Sequence, residues 1–193
     1  RLLPTAPDWA GGLRTAWKPG EAQARARLTD FCHHNQAEYA QTRDFPAMET
    51  TSRLSPFLRF GHVSPARVWE TAQASPNPDK FLTELGWRDF AWSLLFETPD
   101  LASRNLRPEF DAMKWRTDPK GLAAWQRGRT GYPLVDAGMR ELWHTGVMHN
   151  RLRMVVASFL VKHLLIDWRE GERWFADTLV DYDPASNPMN WQW

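Results

Sequence analysis

No segment of this 193-residue chain alternates apolar and polar residues with the two-residue period of a half-buried strand, while helical patterns ended by Pro or Gly follow one another along its length. That restricts the fold to helices packed on helices, the all-α class. Residues 1–19, with Pro4, Pro7, Gly11, Gly12 and Pro19, read as an irregular lead-in, and residues 20–193 as the helical body, divisible at about 20–78 and 79–193. A first helix is expected from Gly20 to about His34, with Ala22, Ala26, Leu28, Phe31 and Cys32 on its apolar side. Ser55-Pro56 and Ser64-Pro65 both read as helix starts, Ser as N-cap and Pro where its missing N–H is harmless. The second runs to about Ala74. Between Pro78 and Pro99 lies a long helix whose buried side could be Phe81, Leu85, Phe90, Leu94 and Leu95. Residues 99–131 are loop-rich, with a short helical piece near Gly121–Arg127. Further helices are expected at Pro133–Thr145, closed by Gly146, at Met148 to about Leu165, and at about Arg169 to Val180.

Composition narrows the chemistry. A net charge of +1 excludes a globally basic, histone-like character, so contact with nucleic acid would depend on local clusters of Arg. The single Cys32 excludes an internal disulfide or a Cys-based metal cluster, and a reducing cytoplasm suits it. No run approaches eighteen apolar residues, and the N-terminus has no signal pattern. The His residues are dispersed and no His-Glu-x-x-His, Gly-x-Ser-x-Gly, Gly-x-Gly-x-x-Gly or Walker motif occurs, so no metal site is expected and a nucleotide would be held in some other way. The unusual count is 12 Trp against 3 Tyr. Most indoles are core or interface anchors, but such an excess leaves room for stacking or electron transfer.

Four segments concentrate polar and aromatic groups. The hydroxyls of Thr51, Ser52 and Ser55, beside the free N–H groups of a new helix, would seat a phosphate; the same grammar also serves as a plain cap. Glu84, Trp87 and Arg88 share a helix face, either as a salt bridge with a packed indole or as a site wall. Asn150, Arg153 and Met154 share another, with Arg151 turned aside. Two arginines at a helix N-terminus oppose the macrodipole and point to an anionic partner. Asp181 to Trp193 packs carboxylates, amides and indoles into thirteen residues, and its two prolines argue against another helix, leaving a shaped loop. It could clasp a flat polar ligand or be a Pro-kinked tail.

Taken together and in this order, Tyr39...Arg43-Asp-Phe-Pro...Thr51-Ser-Arg-Leu-Ser-Pro, Glu84-Leu-Gly-Trp-Arg88, Thr130-Gly-Tyr-Pro-Leu-Val-Asp136, Met148-His-Asn-Arg-Leu-Arg-Met154, Asp167-Trp-Arg-Glu-Gly-Glu-Arg173 and the terminal Asp-x-Asp...Asn...Trp-Gln-Trp resemble the helical FAD-binding domain of the DNA photolyase/cryptochrome family, in the manner of bacterial class I photolyases. The resemblance covers nearly the whole chain from about Leu28. It implies a U-shaped FAD held by Tyr39, Thr51, Ser52, Arg53, Leu54, Ser55, Arg88, Arg153, Asp181, Tyr182 and Asp183, with Arg153 paired to Asp181 and Asn187 facing flavin N5. A flipped-out lesion would meet Glu84, Trp87, Asn150, Met154 and Trp193, while Arg43 and Arg151 take DNA phosphates. Glu84, Asn150 and Asn187 are the implied catalytic groups, and Trp191, Trp168 and Trp115 match the family's electron relay. The implied activity is that of a carbon–carbon lyase, a deoxyribodipyrimidine photolyase: excited reduced FAD donates an electron to a cyclobutane pyrimidine dimer, which splits and returns it. Family (6-4) enzymes carry a His pair where this chain has Asn150 and Met154, so dimer repair is favoured; the alternative is a cryptochrome-like blue-light sensor. The implied partner is UV-damaged DNA, bound by a cytoplasmic, nucleoid-associated bacterial monomer. Relatives carry an N-terminal α/β domain for an antenna chromophore and helices after Trp-Gln-Trp, so the chain reads as a fragment.

Overall fold

A computed structural model describes residues 6–193, and helices joined by turns account for its architecture, with no strand among the described residues. The α-helices are α1 (Gly11–Ala16), α2 (Glu21–His34), α3 (Tyr39–Thr42), α4 (Ser55–Arg59), α5 (Pro65–Gln73), α6 (Asp79–Glu97), α7 (Pro119–Gln126), α8 (Pro133–Thr145), α9 (Asn150–Ser158), α10 (Trp168–Thr178) and α11 (Ser186–Gln192). Residues 1–5 of the expected lead-in lie outside the described residues. Its later part is not irregular throughout, because Gly11–Ala16 forms α1, which packs on α8.

Two main apolar cores form, and the start of the long helix α6 belongs to the first. The first gathers Ala24, Leu28, Phe31 and Cys32 of α2 with Tyr39, Leu54, Phe57, Val68, Phe81 and Leu82. The buried face of α2 is thus built on Ala24 rather than on Ala22 and Ala26, which are exposed. The second core gathers Trp125, Met139, Leu142, Met148, Leu152, Val156, Leu160 and Phe175. A third, small cluster of Ala91, Leu101, Ala185 and Met189 joins α6 to the C-terminal segment. α6 packs on α5 and also on α11, and one stripe of it, through Phe81, Leu85, Arg88, Ala91 and Leu95, is buried or half-buried along its length. Phe90, placed on the buried side from sequence, is 47% exposed.

Local signals explain most boundaries. Ser64 caps α5, its hydroxyl accepting the Arg67 N–H at 3.2 Å. Gly146 ends α8 at φ +70, where an added Cβ would stand 2.5 Å from Val180 Cγ1. Ser55 behaves differently from its Ser-Pro grammar: Leu54 is the N-cap, without a side-chain bond, and Ser55 is the first helical residue, its hydroxyl turned to Asp181. The single helix expected from Met148 to Leu165 begins instead at Asn150 and passes after Ser158 into a π-helical turn, Phe159–His163.

The largest departure is at the C-terminus, where the expected loop contains α11. Pro188 is only its third residue, a position whose N–H has no intrahelical acceptor in any case, so the proline does not break it. Asp183 Oδ1 accepts the N–H groups of Ala185 at 3.0 Å and Ser186 at 2.8 Å, supplying the turn that starts the helix.

Candidate functional site

The segments singled out by their chemistry converge on one cavity of ≈ 910 Å³, walled by residues 46–59 up to the end of α4, the first half of α6, the start of α9 and the segment after Asp181. That volume is at the upper end of the roughly 300–1,000 Å³ of small-molecule sites.

One wall is backbone. The N–H groups of Thr51, Ser52, Arg53 and Ser55 find no acceptor among the described residues. Arg53 sits at φ +50, and Leu54 follows at φ −87, ψ −11. Such a left-handed to right-handed pair turns successive N–H groups toward one point, a concavity suited to an anion. A non-glycine residue held there is strained, and such strain concentrates where backbone is shaped for a ligand. The Arg53 guanidinium lies over the Trp17 ring, 5.2 Å from its centroid. Ser55, counted among the phosphate hydroxyls, gives its O–H to Asp181 Oδ2 at 2.6 Å, so Thr51 and Ser52 are the hydroxyls left facing the cavity.

The adjoining wall is ionic. The Asp181 side chain, 2% exposed, receives Arg153 Nη2 at 3.0 and 2.8 Å, and Arg153 Nε donates to the Met148 carbonyl at 2.9 Å. The two arginines at the start of α9 therefore meet anions of the chain itself, for Arg151 Nη2 is 2.6 Å from Asp44 Oδ2. Asp183 also lines the cavity, with Oδ1 engaged by α11 and Oδ2 accepting from Trp92 Nε1 at 3.2 Å. Beside it Asn187, 8% exposed, accepts the Asp183 N–H at 3.4 Å, and its Nδ2 finds no acceptor among the described residues. An amide N–H on the cavity wall is therefore left for a ligand.

The rim is aromatic and amide-bearing. Trp87 and Trp193 stand edge to face with centroids 5.6 Å apart, and Asn150 and Met154 line the same cavity. Glu84 contributes a carboxylate. Burial works to raise its pKa, but the hydrogen bonds of Lys80 (2.7 Å) and Arg43 outweigh it and hold the group below the ordinary carboxylate range. Both cations meet Oε1, leaving Oε2 without an ion partner. Burial pushes the Tyr39 hydroxyl up to about 12, so it is a neutral donor at physiological pH. Arg88 lies with its guanidinium 6.0 Å from the Trp92 ring.

Not every expected residue reaches the cavity. Arg43 and Arg151 lie beside it in the ion-pair chain Arg151–Asp44–Arg43–Glu84. Tyr182 faces away, its hydroxyl donating to the buried Glu172 at 2.8 Å. Trp191 is on the cavity wall, Trp168 is buried with its Nε1 donating to Asn105 Oδ1 at 2.9 Å, and Trp115 is half-exposed. Sequence reasoning missed Glu141, Lys162, Phe175 and Asn190 on the wall and Lys80 behind Glu84. Only Lys80 had a local signal, its i,i+4 spacing to Glu84; the others reach the cavity through tertiary packing.

The residues present therefore fit a dinucleotide with a flat ring system: converging N–H groups for a pyrophosphate, a buried carboxylate already charge-paired, and an amide donor on the cavity wall. The family described as "FAD binding domain of DNA photolyase" matches residues 81–193. A deoxyribodipyrimidine photo-lyase of Agrobacterium fabrum is 54% identical over 199 residues, covering 100% of this chain and 42% of its own length. A bacterial class III photolyase from Agrobacterium tumefaciens has a similar structure, with TM-score 0.96 and 53% identity over 100% of this chain and 41% of that one. The sequence motifs had pointed to class I. A cryptochrome from Synechocystis is similar at TM-score 0.85 and 36% identity, over 91% of this chain and 38% of its own. The chain spans about two fifths of the length of the curated relatives it matches.

Proposed function

Since the chain belongs to the DNA photolyase family, whose FAD-binding domain it matches, we propose that it holds FAD in the cavity and serves light-dependent repair of cyclobutane pyrimidine dimers in DNA. The observation that carries this reading is the convergence on one cavity of the Arg53–Leu54 backbone concavity, the Arg153–Asp181 pair and the Asn187 amide. When bound, reduced FAD would supply the electron that splits the dimer on excitation by light.

The chain's own residues position and polarise. The N–H groups of Thr51, Ser52, Arg53 and Ser55 receive the pyrophosphate, with the Thr51 and Ser52 hydroxyls beside it. Asp181, neutralised by Arg153, presents a fixed acceptor, and Asn187 offers an uncharged N–H to the flavin edge, tolerable to an anionic ring where a carboxylate would repel it. Glu84, kept ionised, accepts from a pyrimidine N–H through Oε2, and Trp87 and Trp193 flank a flipped-out base. Trp191 on the cavity wall, the buried Trp168 and the half-exposed Trp115 would form the path by which an electron reaches oxidised flavin.

Dimers are preferred to (6-4) lesions because Asn150 and Met154 line the cavity where enzymes for the latter carry a histidine pair. His149 is the one histidine on its wall; its Nδ1 accepts the Arg151 N–H at 3.1 Å, and burial lowers its pKa, so it stays neutral. The test is to load the protein with FAD, reduce it, and measure thymine-dimer content of irradiated DNA in blue light and in darkness. Loss of dimers only in the light is expected. FAD uptake with dimers intact would overturn the repair reading in favour of a light sensor, and failure to take up FAD would overturn both.

A further inference from the structure

α10 breaks a local rule. It is capped by Asp167, which accepts the Arg169 N–H at 3.0 Å, and it is packed on α11, yet it carries Gly171 in its interior. A helical Gly costs about 0.5–1 kcal/mol relative to Ala. The reason lies across the contact: a Cβ on Gly171 would stand 2.7 Å from Leu160 Cδ2 and 2.8 Å from Trp191 Cζ2, and closer still to Trp191 Cη2. The benzo edge of Trp191 therefore rests on bare helix backbone. Phe175, one turn further along α10, closes the seat with its ring 5.1 Å from the indole at 64°. One turn before Gly171 on the same helix is Trp168.

A second tie joins the two indoles. Gln192, next to Trp191, donates to the Leu101 carbonyl at 2.7 Å and accepts the Leu106 N–H at 2.8 Å. Asn105 of that same 101–106 segment accepts the Trp168 Nε1–H at 2.9 Å. Both rings are thus referenced to the same helix and to the same loop.

We propose that Gly171 is a positioning residue for electron entry: by lacking a side chain it seats Trp191 against α10, so that this one helix fixes the placement of Trp191 relative to Trp168. The inference rests on the reading that the chain holds flavin and reduces it through these indoles. In that step one electron leaves Trp191 for light-excited oxidised flavin, Trp168 refills Trp191, Trp115 refills Trp168, and a thiol reductant in solution refills Trp115. The nearest atoms a side chain at 171 would meet belong to Trp191 and Leu160, not to the 51–55 backbone, Arg153, Asp181 or Asn187 that would hold the flavin.

Gly171→Ala and Trp191→Phe are compared with the parent in the FAD-loaded protein, per bound flavin, by two rates: light-driven reduction of oxidised flavin with a thiol present, and dimer repair after chemical reduction. Gly171→Ala is expected to slow photoreduction about tenfold or more, in line with the rate sensitivity to ångström-scale misplacement, while repair by pre-reduced protein stays within about twofold of the parent. A merely structural defect would lower both rates together and overturn the proposal. So would parent-like photoreduction in Gly171→Ala when Trp191→Phe is slow. Parent-like photoreduction in Trp191→Phe would overturn the relay reading itself. Should Gly171→Ala hold too little flavin to assay, thermal unfolding decides: Phe at 191 lacks the benzo edge, so Trp191→Phe should relieve the loss of stability from Gly171→Ala. An equal loss in both backgrounds would refute the contact.

Discussion

Asp181 and Arg153 illustrate how much one pair carries. The carboxylate is all but inaccessible and receives Arg153 and the Ser55 hydroxyl together, so removing its charge strands a cation that is itself 22% exposed. Breaking such a pair costs about 3 kcal/mol or more. Asp181→Asn should lose roughly that in urea unfolding and bind FAD more weakly. Asp44 has the opposite expectation. It occupies Arg151, whose hydrogen bond holds its carboxyl below the usual range, so it competes with any DNA phosphate for that guanidinium. Asp44→Asn should tighten DNA binding, whereas Arg151→Ala should weaken it about equally across sequences and reduce the salt slope by about one unit. An unchanged slope would remove Arg151 from the DNA surface.

Glu172 gives a pH dependence. Burial raises its carboxyl above the ordinary 4.5, against the opposing Tyr182 hydrogen bond. A folded-state pKa above the unfolded one favours folding when the group is protonated. The contribution is therefore complete below about pH 4 and is lost as pH rises through the folded value. Glu172→Gln keeps an acceptor for the Tyr182 O–H without the charge, so its stability relative to the parent should grow between pH 4 and 7. Unfolding titrations at several pH values would show a flat difference if Glu172 were already ionised without penalty.

At the scale of the element, the two Ser-Pro starts separate a cap from a ligand group. Ser64→Ala removes a bonded N-cap and should cost about 1 kcal/mol with no change in FAD affinity. Ser55→Ala removes no cap but leaves Asp181 one donor short, and is expected to weaken FAD retention. The helices themselves were legible from sequence because their signals are local: α8 is found at its expected bounds, and Ser64 and Gly146 act as read. α11 was not, because whether Pro188 stops a helix depends on where the helix begins, and that start is set by Asp183 bonding the next two residues' N–H groups. The π-turn at Phe159–His163 was likewise invisible, since no local residue type marks where a helix takes an extra residue into a turn.

On the scale of the whole molecule, the cavity is lined by segments belonging to both apolar cores, α4 and α6 from the first and α9 and α10 from the second. A ligand filling that cavity ties those segments together, so saturating FAD should stabilise the fold by about 2.7 kcal/mol at a hundredfold excess over Kd. Comparing thermal unfolding of stripped and reloaded protein tests this; coincident curves would argue against FAD as the ligand. The sequence by itself determined the all-α class, most helix bounds and the residue types able to hold a flavin, because caps, breakers and helical spacing act within a few residues. Only the tertiary structure decided which of those residues share a cavity. It turned Ser55 from a cap into a partner of Asp181, gave Arg151 to Asp44, drew in Glu141, Lys162 and Phe175, and made the absence of a side chain at Gly171 the seat of Trp191. Such placements depend on contacts between residues tens of positions apart, where no local rule operates.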